Sequence, residues 1–275
     1  MRLTTKIISG IILSIFFISL TFIIGFSFTD RKDQKHSNSN VINLPQDNIT
    51  SIELGSFKTI VIEEIQFESK KNYFGLSDNC NIFFDPPTEN NNTDMLFIPA
   101  ALKDFISIAT TDDTLTIKLN LLELGKKYKN NEYSFQAFSG INMYFKTSKL
   151  DIINFTKVIP VNIKNIETDS IKITSNGNIR IDSCKALFID PKLTIDYRNL
   201  NVTNSEIKII SLDLDNIRNW NIENCTIEEE YITGSGKHHI TQHRKESTTI
   251  NWIPKNENAE LNIKIPGETT KIIIP

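Results

Sequence analysis

The sequence predicts an all-β chain folded as a short-strand parallel β-solenoid (a single-stranded β-helix), with a β-sandwich as the alternative. Three observations carry that reading. Isoleucine and asparagine are abundant while only six alanines occur in 275 residues, and isoleucine suits a pleated surface where alanine favours a helix. Apolar and polar residues alternate over short runs bounded by Asn, Asp, Ser, Thr or Gly, the pattern of half-buried strands between turns. Four stretches of one form also recur at spacings of 18, 21 and 20 residues, a repeat of the length of one solenoid rung.

Composition bounds the rest. A net charge of −3 supplies no global positive field, so nucleic acid is not an expected partner. Three cysteines in 275 residues exclude a disulfide-built scaffold.

The chain opens on an uncharged run, Ile7 to Phe28, apolar apart from scattered Ser, Gly and Thr. As a helix rising ~1.5 Å per residue, it is long enough for a bilayer core of about 30 Å. A cleaved signal peptide is the rival, with Gly25-Phe26-Ser27 as a loose small-residue cleavage site. The short basic tail of Arg2 and Lys6 stays in the cytoplasm on either reading, which exports the remainder. Residues 1–28 therefore read as a membrane anchor or signal peptide, 29–48 as a polar linker, and 49–275 as a β-rich extracytoplasmic domain. The expected location is the cell membrane or envelope, single-pass, with residues 7–28 in the lipid.

Within the body, Ile60-Val61-Ile62, Leu115-Thr116-Ile117-Lys118-Leu119, Ile179-Arg180-Ile181 and Leu261-Asn262-Ile263-Lys264-Ile265 read as strands. Thr110-Thr111-Asp112-Asp113 reads as a hairpin or tight connection. No stretch after the first 28 residues carries a sustained helical stripe. The repeats proper are Val161-Asn162-Ile163-Lys164-Asn165, Ile179-Arg180-Ile181-Asp182-Ser183, Leu200-Asn201-Val202-Thr203-Asn204 and Trp220-Asn221-Ile222-Glu223-Asn224, within about 158–245. One such rung cannot bury its inward face, but stacked rungs build a continuous apolar column. Asn165, Asn204 and Asn224 are then expected at equivalent inward corners, bonding to backbone. Cys184 and Cys225 follow the same corner two rungs apart. Twice the ~4.8 Å strand spacing exceeds the ~7 Å Cα reach of a disulfide, so they read as free, buried thiols beside a solitary Cys80.

An exported body behind a polar tether, the opening Phe57-Lys58-Thr59-Ile60-Val61-Ile62, the mid-chain Asp113-Thr114-Leu115-Thr116-Ile117 and the Asn/Ser-punctuated short strands together resemble a family. It is the auto-transporter adhesin head domains of the GIN type, exported proteins of Bacteroidetes. The resemblance covers roughly residues 50–275 in pattern, and the glycine-rich turns common in that family are scarce here. It implies a short single-stranded β-helix without known catalytic activity, and it transfers no binding residues.

Four groups of residues invite a chemical reading. His238, His239 and His243 with Glu228, Glu229 and Glu230 offer metal-ligand chemistry. The i, i+4 histidines share a face only on a helix, however, and Gly234-Ser235-Gly236 with Ile240-Thr241-Gln242 argues for strand or loop. Asp190, Asp196, Arg198, Asp213, Asp215 and Arg218 could serve as the charged face of a polysaccharide-cleaving β-helix, or simply solubilise an outer face. Trp220, Trp252, Tyr197 and Tyr231 could stack on sugars, with Trp220 at a core position. Lys126-Lys127-Tyr128-Lys129 and the polar run Asp85-Pro86-Pro87 through Glu89-Asn90-Asn91-Asn92-Thr93 read as loops. No catalytic, cofactor-binding or metal-binding residue is assigned, and no cofactor is expected. The expected function is a membrane-anchored, non-enzymatic adhesion or surface-interaction module with a surface glycan or protein as ligand. The alternatives are a carbohydrate-active β-helix enzyme and a structural or envelope-sensing protein.

Overall fold

Consecutive strands of the repeat region alternate between two large sheets, and each pairs in parallel with the strand two before it. Val161–Lys164, Ile179–Asp182, Arg198–Thr203 and Ile217–Glu223 lie side by side in one sheet, while Glu167–Ser175, Lys185–Leu193, Glu206–Asp213 and Thr226–Gly234 lie side by side in the other. The computed structural model describes residues 41–275 apart from 46–47, 66–72, 78, 88–92, 129–134, 148–149, 156, 244–246, 265–270 and 275. The chain is all-β over these residues.

The eight-stranded sheet continues past Val161–Lys164 through Asn81–Asp85, Asn142–Lys146, Met95–Pro99 and Ile49–Glu53. The ten-stranded sheet runs from Lys271–Ile273 and Ser247–Pro254 through the four long strands to Ile152–Phe155, Thr59–Ile65, Thr114–Asn120 and Ile106–Thr111. Both sheets are mixed: parallel through the repeats, antiparallel where Met95–Pro99 meets its neighbours and where Ile106–Thr111 folds back on Thr114–Asn120.

The repeat spacing is the pairing register. Val161 faces Ile179, Ile179 faces Leu200 and Leu200 faces Trp220, while Ile163, Ile181, Val202 and Ile222 form the next column. All eight side chains are buried. On the other sheet Ile171, Ile189, Ile210, Glu230 and Ile250 share one column. Alternation with period 2 sends these residues inward on both sheets and leaves the intervening residues outward.

The corner asparagines take a different place from the expected one. Asn165, Asn204 and Asn224 do fall at equivalent corners, but they are exposed, with φ of 55°, 51° and 54°. Ser183 completes the set at φ 55°. The corner demands a left-handed residue, which asparagine tolerates because its short side chain bonds locally. The inward position is the next one: Ile166, Cys184 and Ser205 are buried there, and Cys225 is half-buried. The backbone ladder continues across the bend, with Asn204 N donating to Glu223 O at 3.1 Å and Glu206 N to Cys184 O at 2.9 Å.

The hairpin expected at Thr110–Asp113 is present, with Asp112 and Asp113 at φ 48° and 60°, the two left-handed central residues of a type I′ turn. One helix was not legible. Leu121–Tyr128 forms α1, with Asn120 Oδ1 accepting from Glu123 N at 3.1 Å as its N-cap. It buries Leu121 and Leu124 against the Tyr73–Leu76 strand and the turn Ala100–Phe105. At eight residues it is too short to declare a periodicity. Lys126, Lys127 and Tyr128 of the basic run read as a loop are therefore the end of this helix, where Lys126 pairs with Glu123 and Lys127 lies 5.2 Å over the Phe105 ring. The β-body also begins within the stretch read as linker: Val41–Asn43 pairs with Phe135–Ser139, burying Ile42 and Leu44.

The apolar run Ile7–Phe28 lies outside the described residues. Among the described residues no helix is long and apolar enough to cross a membrane.

Candidate functional site

The outward side of the eight-stranded sheet carries a row of aromatic, amide and guanidinium side chains in register. Tyr144 faces Phe97 on one side and Phe83 on the other. Phe83 faces Asn162, Asn162 faces Arg180, Arg180 faces Asn201 and Asn201 faces Asn221. Each lies between two buried neighbours, such as Ile82 and Phe84, Met143 and Phe145, or Ile179 and Ile181, so strand alternation fixes the whole line outward.

Phe83 and Tyr144 stack with ring centroids 4.6 Å apart and planes 7° from parallel. That separation matches the ~4.8 Å between strands, so the rings stack along the sheet and turn their edges outward. Inside, Phe84 and Phe145 repeat the arrangement at 4.9 Å. Asn162 is pinned, its Nδ2 donating to Ile82 O at 3.2 Å. Flanking rows are already paired: Asn81 donates to Asn142 at 3.3 Å, Lys146 to Asp85 at 3.2 Å, and Lys164 lies 3.8 Å from Asp182. Arg180 is exposed and has no ion pair among the described residues. The line contains no carboxylate.

The ten-stranded sheet bears a trough of about 830 Å³ whose lining includes Lys58, Glu167, Lys185, Glu206, Lys208 and Glu228. Leu187 stands in it 55% exposed. Its charges alternate in sign, Lys185 and Glu206 lying 3.8 Å apart, and none of the lining residues is aromatic.

The metal-ligand reading of the histidines fails for the residues that are described. Glu230 is fully buried in the isoleucine column, accepting from Ser247 Oγ at 2.8 Å, and Glu229 accepts from Tyr231 OH at 2.6 Å. His238 turns instead toward Asp215, its Nε2 3.6 Å from Oδ1. His239 and His243 sit on the strand Lys237–His243; their side chains lie outside the described residues. No group of three potential ligands capable of holding a metal occurs among the described residues.

Of the six charged residues considered for catalysis, Asp213 and Asp215 converge, on a lysine that no sequence pattern marks out. Lys255 Nζ lies 2.6 Å from Asp213 Oδ1 and 2.7 Å from Asp215 Oδ2. Ser235 adds two bonds to Asp215 Oδ1, from N at 2.6 Å and Oγ at 2.9 Å. Burial pushes the Asp215 carboxyl up, but Lys255 and Ser235 outweigh it and hold the group down at about 2. A carboxylate so held is a poor proton carrier near neutrality. Asp190 is raised by burial against the pull of Lys172 and Lys192. Asp196 is exposed in the bend before Arg198–Thr203, Arg218 is exposed on the strand Ile217–Glu223, and Arg198 is half-buried.

The aromatic candidates divide. Trp220 and Trp252 are buried, Tyr231 is half-buried, and Tyr197 is 74% exposed at a left-handed turn with φ 65°. On the eight-stranded sheet the outward aromatics are Phe83, Tyr144 and Phe97, and the sequence held the signal. In Ile82-Phe83-Phe84, Met143-Tyr144-Phe145 and Leu96-Phe97-Ile98 an aromatic occupies the position that alternation assigns to solvent. Of the Asp85–Thr93 run, residues 88–92 lie outside the described residues.

No protein-family model matches the chain, and no curated protein matches it. Several solved structures are similar to the chain at low identity. One from Bacteroides fragilis, described as a "putative adhesin", is 18% identical, covers 84% of this chain and 100% of its own, and has a TM-score of 0.47. A "putative adhesin" from Parabacteroides distasonis is 14% identical over 84% and 99%, with a TM-score of 0.45. A "putative lipid binding protein" from the same species is 12% identical over 86% and 99%, with a TM-score of 0.42.

Proposed function

We propose that this chain is a non-enzymatic adhesion or surface-interaction module held outside the cell by a membrane segment at residues 7–28. Its body is read as a short parallel β-solenoid, with the GIN-type adhesin head as the family it resembles. The parallel register through Val161, Ile179, Leu200 and Trp220 supports the solenoid reading, since a coil of nearly constant circumference pairs its strands in that way. The observation that carries the function is the outward line from Phe97 to Asn201 on a rigid sheet. Aromatic side chains set among amides on a surface are typical of a site that meets a partner. Against the alternative of a carbohydrate-active enzyme, Asp213 and Asp215 are both held by Lys255 and are not free to act as an acid–base pair.

Beads coated with the full chain and flowed over mucin-coated glass test this reading. Retention above albumin-coated beads, lost in the Phe83→Ser/Tyr144→Ser double variant, is the expected result. Retention unchanged by the double variant would overturn it.

A further inference from the structure

We infer that the outward line on the eight-stranded sheet binds a linear acidic polysaccharide, with an anionic substituent at Arg180 and the sugar chain running across the strands over Asn162, Phe83 and Tyr144. This rests on the reading of the chain as a surface-binding module.

Charge is the first argument. Arg180 is exposed, its in-register neighbours Asn162 and Asn201 are neutral, and the nearby lysines Lys146 and Lys164 already face Asp85 and Asp182. One uncompensated guanidinium thus stands in a line without carboxylates, and a guanidinium binds an oxyanion through two parallel bonds. The rings point the same way. Phe83 and Tyr144 spend their negative faces on each other and present edges, which carry the positive rim of the quadrupole. Anions are therefore accepted along the line and excess cations are not.

Hydroxyl chemistry is the second. The side-chain amides each offer both a donor and an acceptor, the pair of functions a sugar hydroxyl needs. An extended peptide is the poorer fit, because it takes its affinity from an open strand edge, and this line lies across paired strands in the middle of a sheet. Shape is the third. From Phe97 to Asn221 the line crosses six strand spacings, roughly 29 Å, a straight track that a small ligand would leave mostly empty.

The test uses the full chain in mild detergent, immobilised, with polygalacturonate, dextran sulfate and neutral dextran as probes. Binding to polygalacturonate is expected, weakening with added salt, with dextran held about tenfold less tightly or not at all. Arg180→Gln should cost polygalacturonate about tenfold and leave any dextran binding unchanged, while Arg180→Lys keeps part of the affinity. Arg180-dependent binding of dextran sulfate alone would assign sulfate, not carboxylate, as the anion. Polygalacturonate and dextran sulfate binding both indifferent to Arg180→Gln would overturn the inference. If the beads still adhere through Phe83 and Tyr144 in that case, the module reading survives it; if adhesion ignores those rings, the reading itself has failed. The exposed Arg180 substitutions leave the core untouched, so the comparison holds even where the double aromatic variant does not fold.

Discussion

Asn204 donates its side-chain amide to Asp182 Oδ1 at 2.8 Å, tying one left-handed corner to the strand end stacked beside it. Thr203 Oγ1 reaches the same oxygen at 2.9 Å, and Asn224 extends the chain to Asn204 Oδ1 at 3.4 Å. These bonds run between exposed or half-buried side chains along the outside of the stack. The Asn204 amide holds the Asp182 carboxyl below its usual range, with Thr203 and Lys164 adding to the effect and burial opposing it.

Backbone conformation, more than the amide, should select Asn204. Asn204→Gly loses the bond but relaxes the left-handed φ, so its net change should stay within about 1 kcal/mol. Asn204→Leu loses the bond and keeps the strain, costing on the order of 1–3 kcal/mol. Urea melts of both variants decide it; a leucine as mild as glycine would remove the conformational argument.

Acid should loosen the far end of the stack through Asp215. Its folded value of about 2 lies below the ordinary aspartate value of 3.8, so the stability it contributes is full above pH 4 and is lost as pH falls toward 2. Lys255 is 37% exposed, and with solvent screening the contribution is on the order of 1–2 kcal/mol. Asp215→Asn should flatten that part of the stability–pH curve. A curve of unchanged slope between pH 4 and pH 2 would place the acid response elsewhere.

Gly177 should admit no side chain. A Cβ there would stand 1.9 Å from the Ile159 carbonyl oxygen, which is backbone, whereas at Gly55 the nearest atom is a threonine hydroxyl 3.8 Å away. Gly177→Ala is expected to cost more than about 2 kcal/mol and Gly55→Ala less than about 0.5 kcal/mol. Thermal melts of the two alanine variants provide the comparison.

The three thiols should react in a fixed order. Burial pushes Cys184 up to about 11 and raises Cys80 as well, so both hold little thiolate at pH 8 and are screened from reagent. Cys225 is only half-buried and should be alkylated first in the native protein. Mass mapping after a short iodoacetamide pulse checks this; early labelling of Cys184 would contradict its burial.

The proposed anchor makes its own demand. The full-length protein should stay with membranes through alkaline carbonate, because an uncharged run of the length of Ile7–Phe28 partitions into lipid. Release of a soluble form beginning near Phe28 would identify a cleaved signal peptide instead.

The strand class and the alignment of the four similar stretches were legible from the residues alone. Val161, Ile179, Leu200 and Trp220 align in space as they do on paper, because a period of 2 fixes which side chains turn inward and a shift of one residue would expose them all. The sequence also determined the corner positions and the Asp112–Asp113 hairpin, where short polar residues mark turns. What it left open depended on contacts between distant residues. Whether Asn204 pointed in or out followed from a left-handed φ that no residue count reveals. Glu230 sits in an isoleucine column, and Lys255 meets Asp213 from 42 residues away, since which strands lie side by side is decided by the tertiary fold. Phe83, Tyr144 and Phe97 come from strands scattered over some 60 residues. Alternation alone placed each one outward, but only the strand order of the folded sheet brought them into one line beside Arg180.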